Sequence, residues 1–304
     1  MGLGILCPGQ GAQSASMLDL LAGGERARVM LDLAAATLGA HPDDLVTGPP
    51  ERLFENVIAQ PLVCAVTLAA WAELAPRLPS PLVMAGYSVG ELAAHACVGT
   101  LSPEALFPLA RARAEAMDAA CGKPNGMIAV RGITVAALEP LCARHGVWMA
   151  IINGPDRIVV GGLLDHLAAF GSQVEGLGGS LTPLSISVAS HTPLMTPALE
   201  PFGAILAQTR LSRPLIPVLA GIDATAVLSV ERTRDVLVHQ LDRPIQWWSC
   251  LQAMQERGCT VLLELGPGST LARMASELSP GSEARSVADF KTLDGVIRWV
   301  EGRL

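Results

Sequence analysis

Short apolar runs bounded by glycine or proline punctuate the chain at residues 3–7, 82–85, 216–220 and 261–265, and each predicts a buried strand. Residues 25–38 and 59–75 carry apolar positions at helical spacing, so the second strand follows helices rather than a hairpin, which is the order of an α/β fold. Pro103 opens a further helix marked by Leu106, Leu109, Ala110, Arg113 and Met117, ending near Gly122. Later helices are predicted over 230–241, from Trp247-Trp248 onward, after Gly266-Pro267-Gly268-Ser269, and around 296–300, with a short strand at 285–287.

The rhythm changes after the turn cluster Lys123-Pro124-Asn125-Gly126. Strands at 127–130, 147–152, 158–160 and 182–188, with helices at 135–144 and 163–174, give the order βαββαβ of a ferredoxin-like split unit. The expectation is an α/β-hydrolase-like body, residues 1–124 and 189–304, interrupted by a ferredoxin-like subdomain at 125–188.

Half the residues are hydrophobic and 16% are charged, and a mean hydropathy of +0.42 calls for a membrane check. The longest uncharged stretch, 176–199, contains Pro183, Pro193 and Pro197 and cannot be a spanning helix. No basic segment precedes an apolar run at the start, so a cytoplasmic protein without a membrane anchor is expected. A net charge of −7 without a Lys/Arg cluster argues against nucleic acid as partner. Seven cysteines lie scattered at 7, 64, 97, 121, 142, 250 and 259 with no C-x-x-C pair; they read as reduced core residues, and no metal site is expected.

Chemistry concentrates at Gly86-Tyr87-Ser88-Val89-Gly90, where an apolar run meets an alanine-rich helical pattern. Such a G-x-S-x-G corner exposes a serine hydroxyl at a helix N-terminus, where the Val89 amide can stabilise an oxyanion. The plain alternative is a tight turn. Pro8-Gly9-Gln10-Gly11-Ala12-Gln13 is a glycine loop whose amides can face a ligand, or again merely a turn. Arg113 shares a face with apolar residues and is either a structural cation or a buried guanidinium awaiting a carboxylate. His191 lies in a Ser/Pro-rich turn after a strand, while His95 sits two helical turns beyond Ser88, too far to serve as its base.

Taken together, PGQGAQ, GYSVGE, Arg113 with Met117, SVASHTPLM, QLDRPIQW and LELGPGS resemble, in order and over nearly the whole chain, the malonyl-CoA:acyl carrier protein transacylase family. The spacings agree: 113 − 88 = 25 and 240 − 191 = 49. The resemblance implies the fold expected above. It also implies Ser88 as nucleophile, His191 as base and then acid, Arg113 as clamp on the malonyl carboxylate, Gln10 and Val89 as oxyanion-hole amides, and Gln240 as orienter of His191 through its carbonyl. Malonyl-CoA would be the substrate, an acyl carrier protein the partner, and no cofactor would be held. Tyr87 stands where fatty-acid transacylases usually carry His, and Met17-Leu18, LAGID and ARSVADF are more similar to the malonyl-transfer (epsilon) subunit of malonate decarboxylase. That subunit loads a carrier bearing a phosphoribosyl-dephospho-CoA arm and works beside other decarboxylase subunits. A serine thioesterase would instead need a carboxylate on His191, with Asp118, Asp156, Asp165 and Glu175 available; a silent carrier-binding scaffold would need none of these groups.

Overall fold

The computed structural model describes residues 2–304. Strand β1 (Gly2–Cys7) leads through the glycine loop to α1 (Glu25–Leu38), the short α2 (Pro42–Thr47) and α3 (Asn56–Leu74). Strand β2 (Val83–Gly86) then turns sharply into α4 (Gly90–Cys97), followed by α5 (Pro103–Ala119). The middle of the chain forms β3 (Asn125–Arg131), α6 (Val135–His145), β4 (Trp148–Gly154), β5 (Arg157–Leu163), α7 (Leu164–Gly176) and β6 (Ser180–Pro183). The remainder runs through α8 (Leu199–Gln208), β7 (Val218–Leu219), β8 (Ala226–Val227), α9 (Val230–His239), α10 (Trp247–Glu256), β9 (Cys259–Glu264), α11 (Thr270–Leu278), β10 (Glu283–Ser286) and α12 (Leu293–Glu301).

Two sheets result. The six-stranded sheet has the order β10-β9-β1-β2-β7-β8 and is parallel except at the β7–β8 edge. Its central pair is in register Cys7 to Gly86, so the loop after β1 and the turn after β2 leave the same end of the sheet side by side. The four-stranded antiparallel sheet has the order β4-β5-β3-β6 and is made wholly from residues 125–183, with the connectivity of the ferredoxin-like split unit. Its edge strand is tied to the chain before α10: Ile152 N–H donates to the Ile245 carbonyl at 2.8 Å and Ile245 N–H to that of Ala150 at 2.9 Å.

The strand expected over 182–188 is instead β6, Ser180–Pro183, and the chain leaves the sheet just beyond it. Pro183 has no N–H to continue the ladder, and only the Leu184 amide still reaches β3, at the Met127 carbonyl. The strand expected over 216–220 shortens to Val218–Leu219 for a similar reason, since Pro214 and Pro217 cannot donate. Helices α2 and α8 and strand β8 had no counterpart among the expected elements; α2 is opened by Pro42 and capped by the His41 ring, which accepts from the Asp43 amide.

Among the described residues, helix α3 is the one long and apolar enough to cross a membrane, with a mean hydropathy of 1.7. It is instead packed against α1, α4 and α5, and its residues from Ile58 to Trp71 are buried. An apolar surface on every side of a helix requires protein on every side, which is why this helix sits in the core. All seven cysteines are free thiols. Leu62, fully buried on α3, should cost about 2–5 kcal/mol when truncated to Ala. Urea denaturation measures this; a loss under about 1 kcal/mol would contradict the packing.

Candidate active site

The turn between β2 and α4 is shaped by close backbone approach. A Cβ on Gly86 would lie 2.2 Å from the Glu91 nitrogen, and one on Gly90 would lie 2.2 Å from the Cys7 carbonyl oxygen. Neither position accepts a side chain, so the two glycines are required by the corner itself. Ser88 between them is held at φ 55°, a left-handed conformation rare for a non-glycine residue and costing about 1–3 kcal/mol. Its hydroxyl therefore projects from the corner at the start of α4 instead of packing into it.

His191 reaches the same point from the other side of the site, and it too is left-handed, at φ 62°. It is held there by the end of α9. The last carbonyls of a helix lack intrahelical partners, and here Leu241 accepts the His191 backbone N–H at 2.8 Å while Gln240 accepts from Nδ1 at 2.5 Å. A carbonyl can only accept, so Nδ1 carries the proton and the Nε2 lone pair faces the Ser88 hydroxyl, 2.8 Å away. Burial, and then the positive charge of Arg113, push the imidazole down to about 3, against the opposing pull of the Gln240 carbonyl.

Arg113 projects from α5, 2% exposed. Its guanidinium donates to Gln60 Oε1 at 2.7 Å and to Gln240 Oε1 at 2.9 Å. Among the described residues no carboxylate lies within 4.0 Å of it. Burial lowers its pKa to about 10, which leaves it charged. A buried cation held by two neutral oxygens has room in its hydrogen-bonding fork for an anion. Ser88, His191, Arg113 and Gln10 line one cavity of about 30 Å³ with Tyr87 and Met117.

Of the residues given site roles from the sequence, Ser88, His191, Arg113 and Gln10 thus line one cavity, with Val89 next to the serine and Gln240 bonded to both His191 and Arg113. Gln10 follows β1 and Val89 follows the serine, and neither backbone amide has a hydrogen-bond partner among the described residues. Tyr87 packs edge-on against Trp247 at 5.3 Å, and burial raises its phenol to about 12. His95 is buried at the far end of α4, apart from the cavity. Among the described residues His191 has no carboxylate partner: Asp118 accepts from Asn56 instead, and neither Asp156, Asp165 nor Glu175 reaches the ring. Sequence reasoning passed over Gln60, Glu91 and Gln13. Each is buried, but each has a partner far along the chain, so nothing local in the sequence marks it. Gln13 braces the glycine loop, accepting from Gly11 N–H at 2.5 Å and donating to the Leu53 carbonyl at 2.9 Å.

A serine hydroxyl hydrogen-bonded to an imidazole, at a helix start with free amides, can accept and release an acyl group. The family model described as acyl transferase domain matches residues 5–293, and the chain belongs to that family. Within it, the chain is similar to the malonyl CoA-acyl carrier protein transacylase of Mycobacterium tuberculosis, 31% identical over 96% of this chain and 98% of the relative. The crystal structure of an acyl carrier protein S-malonyltransferase from Vibrio cholerae superimposes with a TM-score of 0.92 at 30% identity, covering 97% of this chain and all of the other. A malonyl-transacylase in complex with a type II PKS acyl-carrier protein does so with a TM-score of 0.94 at 28% identity, over 99% of this chain and 100% of that one.

The imidazole environment makes a kinetic prediction. Acylation of Ser88 by a chromogenic ester should lose rate only as pH falls well below 6.5, the ordinary imidazole value, because the neutral form persists to lower pH. Arg113→Ala removes a positive neighbour and should move that acid limb upward. A wild-type limb at the ordinary imidazole value would contradict the buried environment.

Proposed function

We propose that this protein transfers malonyl from malonyl-CoA to the thiol of an acyl carrier protein's prosthetic arm through a malonyl-serine ester. The observation that carries this reading is the buried Arg113 guanidinium, without a carboxylate against it, in the same cavity as the Ser88–His191 pair. A free carboxylate on the acyl group is the anion that such a fork fits.

Ser88 Oγ attacks the thioester carbonyl carbon while His191 Nε2 takes its proton. The oxyanion is met by the amides of Val89 and Gln10. Collapse breaks the carbon–sulfur bond, and the CoA sulfur leaves with the proton from His191. The carrier thiol then gives its proton to His191, attacks the ester, and Ser88 regains its hydrogen as the new thioester departs. Gln240 holds the ring tautomer throughout by its carbonyl. The thiol arm of donor and acceptor would lie in the open, largely apolar groove of about 860 Å³ along Leu164, Leu167 and Leu181, which shares Met127 and Ile186 with the catalytic cavity. We place the reaction in the cytoplasm, where CoA thioesters and carriers are found.

The similar proteins named above are transacylases, which favours an acyl carrier protein as acceptor over the decarboxylase carrier that the sequence resemblance put first. The observation on the other side is Tyr87, packed on Trp247 where the transacylases of fatty-acid synthesis usually carry His. The carbonyl partner of His191 speaks against a thioesterase with a Ser-His-acid triad.

Incubation with malonyl-CoA should leave a malonyl adduct on Ser88 by mass spectrometry, and Ser88→Ala should abolish it. Arg113→Ala should lower malonyl transfer by about a hundredfold or more and relax selectivity toward acetyl-CoA, since a hydrogen-bonded charge pair is lost; unchanged malonyl preference would refute the clamp. Transfer assays with a phosphopantetheine carrier and a phosphoribosyl-dephospho-CoA carrier decide the acceptor.

A further inference from the structure

We propose that Glu91 is a positioning residue for acyl selectivity: it fixes which end of the Gln240 side-chain amide faces Arg113. This rests on the reading of Arg113 as the carboxylate site.

The two ends of a glutamine amide have nearly the same shape, and only their partners decide which way it points. At Gln240 the oxygen accepts from Arg113 at 2.9 Å and the nitrogen donates to Glu91 Oε2 at 2.5 Å. Glu91 Oε2 is itself located by the Gly221 backbone N–H, which donates to it at 3.0 Å. A Cβ at Gly221 would lie 2.9 Å from that same oxygen, so a glycine is what lets this amide approach Glu91 so closely. Above about pH 7, where the Glu91 carboxyl is ionised, it only accepts, so it admits the N–H₂ end of Gln240 and excludes the oxygen end. A flipped amide would set N–H groups against the guanidinium, donor against donor. Glu91, Gln240 and Arg113 are 0%, 1% and 2% exposed, so water does not take over either role.

The other arm of Arg113 is built alike. Gln60 turns its oxygen to the guanidinium because its nitrogen donates to Asn56 Oδ1 at 2.8 Å, and Asn56 in turn donates to Asp118 Oδ1 at 2.9 Å. Each amide is thus oriented by acceptors that lead away from the cation to a carboxylate. The second Glu91 oxygen, Oε1, is buried with no partner, a cost that packing does not offset. Burial raises the Glu91 carboxyl to about 7.

The experiment compares kcat and KM for malonyl-CoA and acetyl-CoA in the wild type, Glu91→Leu, Glu91→Gln and Gln240→Met. Glu91→Leu removes the acceptor and should lower the malonyl-to-acetyl ratio of kcat/KM by about tenfold or more, mainly through a higher KM for malonyl-CoA. Glu91→Gln can place its amide oxygen at the Oε2 position and should recover most of that ratio. Gln240→Met keeps the backbone carbonyl on His191 and should lose selectivity as Glu91→Leu does, which preserves the test if Glu91→Leu does not fold. An unchanged ratio in Glu91→Leu or Gln240→Met, parallel loss of both activities, or a Glu91→Gln that behaves like Glu91→Leu would each overturn the assignment. Arg113→Ala is run alongside. If it keeps malonyl preference, the carboxylate reading itself fails; if it loses preference while Glu91→Leu keeps it, only the role of Glu91 falls.

Discussion

A positive charge sealed from water without a negative charge against it is the constraint around which this molecule is arranged. Arg113 loses its hydration on α5, and the structure returns only two amide oxygens. Holding those oxygens in place recruits α3 through Gln60, α4 through Glu91 and the end of α9 through Gln240. The helices that pack around the guanidinium are the ones that carry Ser88 and the carbonyl partner of His191, so the requirement for charge and the requirement for geometry are met by the same contacts.

Gln240 is where the two requirements meet. Its backbone carbonyl sets the tautomer of His191 and its side-chain oxygen braces Arg113. A helix that ended one residue earlier or later would present a different carbonyl to the imidazole and a different side chain to the guanidinium. The helix terminus, with carbonyls that have no intrahelical partner, is suited to this task because they are available without breaking a ladder bond.

Much of this was legible in the chain. Glycine spacing around Ser88 announced the corner because a Cβ has no room at Gly86 or Gly90, and βαββαβ order announced the second sheet because its strands and helices alternate at distinct periods. Arg113 and His191 were ambiguous one by one, since an arginine on an apolar face and a histidine in a turn each have common structural explanations; topology alone brings them together. The run over 182–188 misled because the strand starts earlier, at Ser180, and Pro183 ends its ladder, leaving Leu184 and Ile186 to line the groove. Glu91 and Gln60 stayed hidden because their partners lie 149 and 53 residues away in the chain, at Gln240 and Arg113, where no local pattern points.

Ser88 and His191 both occupy backbone conformations that glycine would adopt freely. Relief of that strain alone would draw position 88 toward glycine, whereas at 191 it is opposed by the loss of a buried ring and its two hydrogen bonds. Homologous chains that have given up acyl transfer should show this relaxation first at position 88, so glycine there would serve as a mark of lost chemistry even where the surrounding fold is intact.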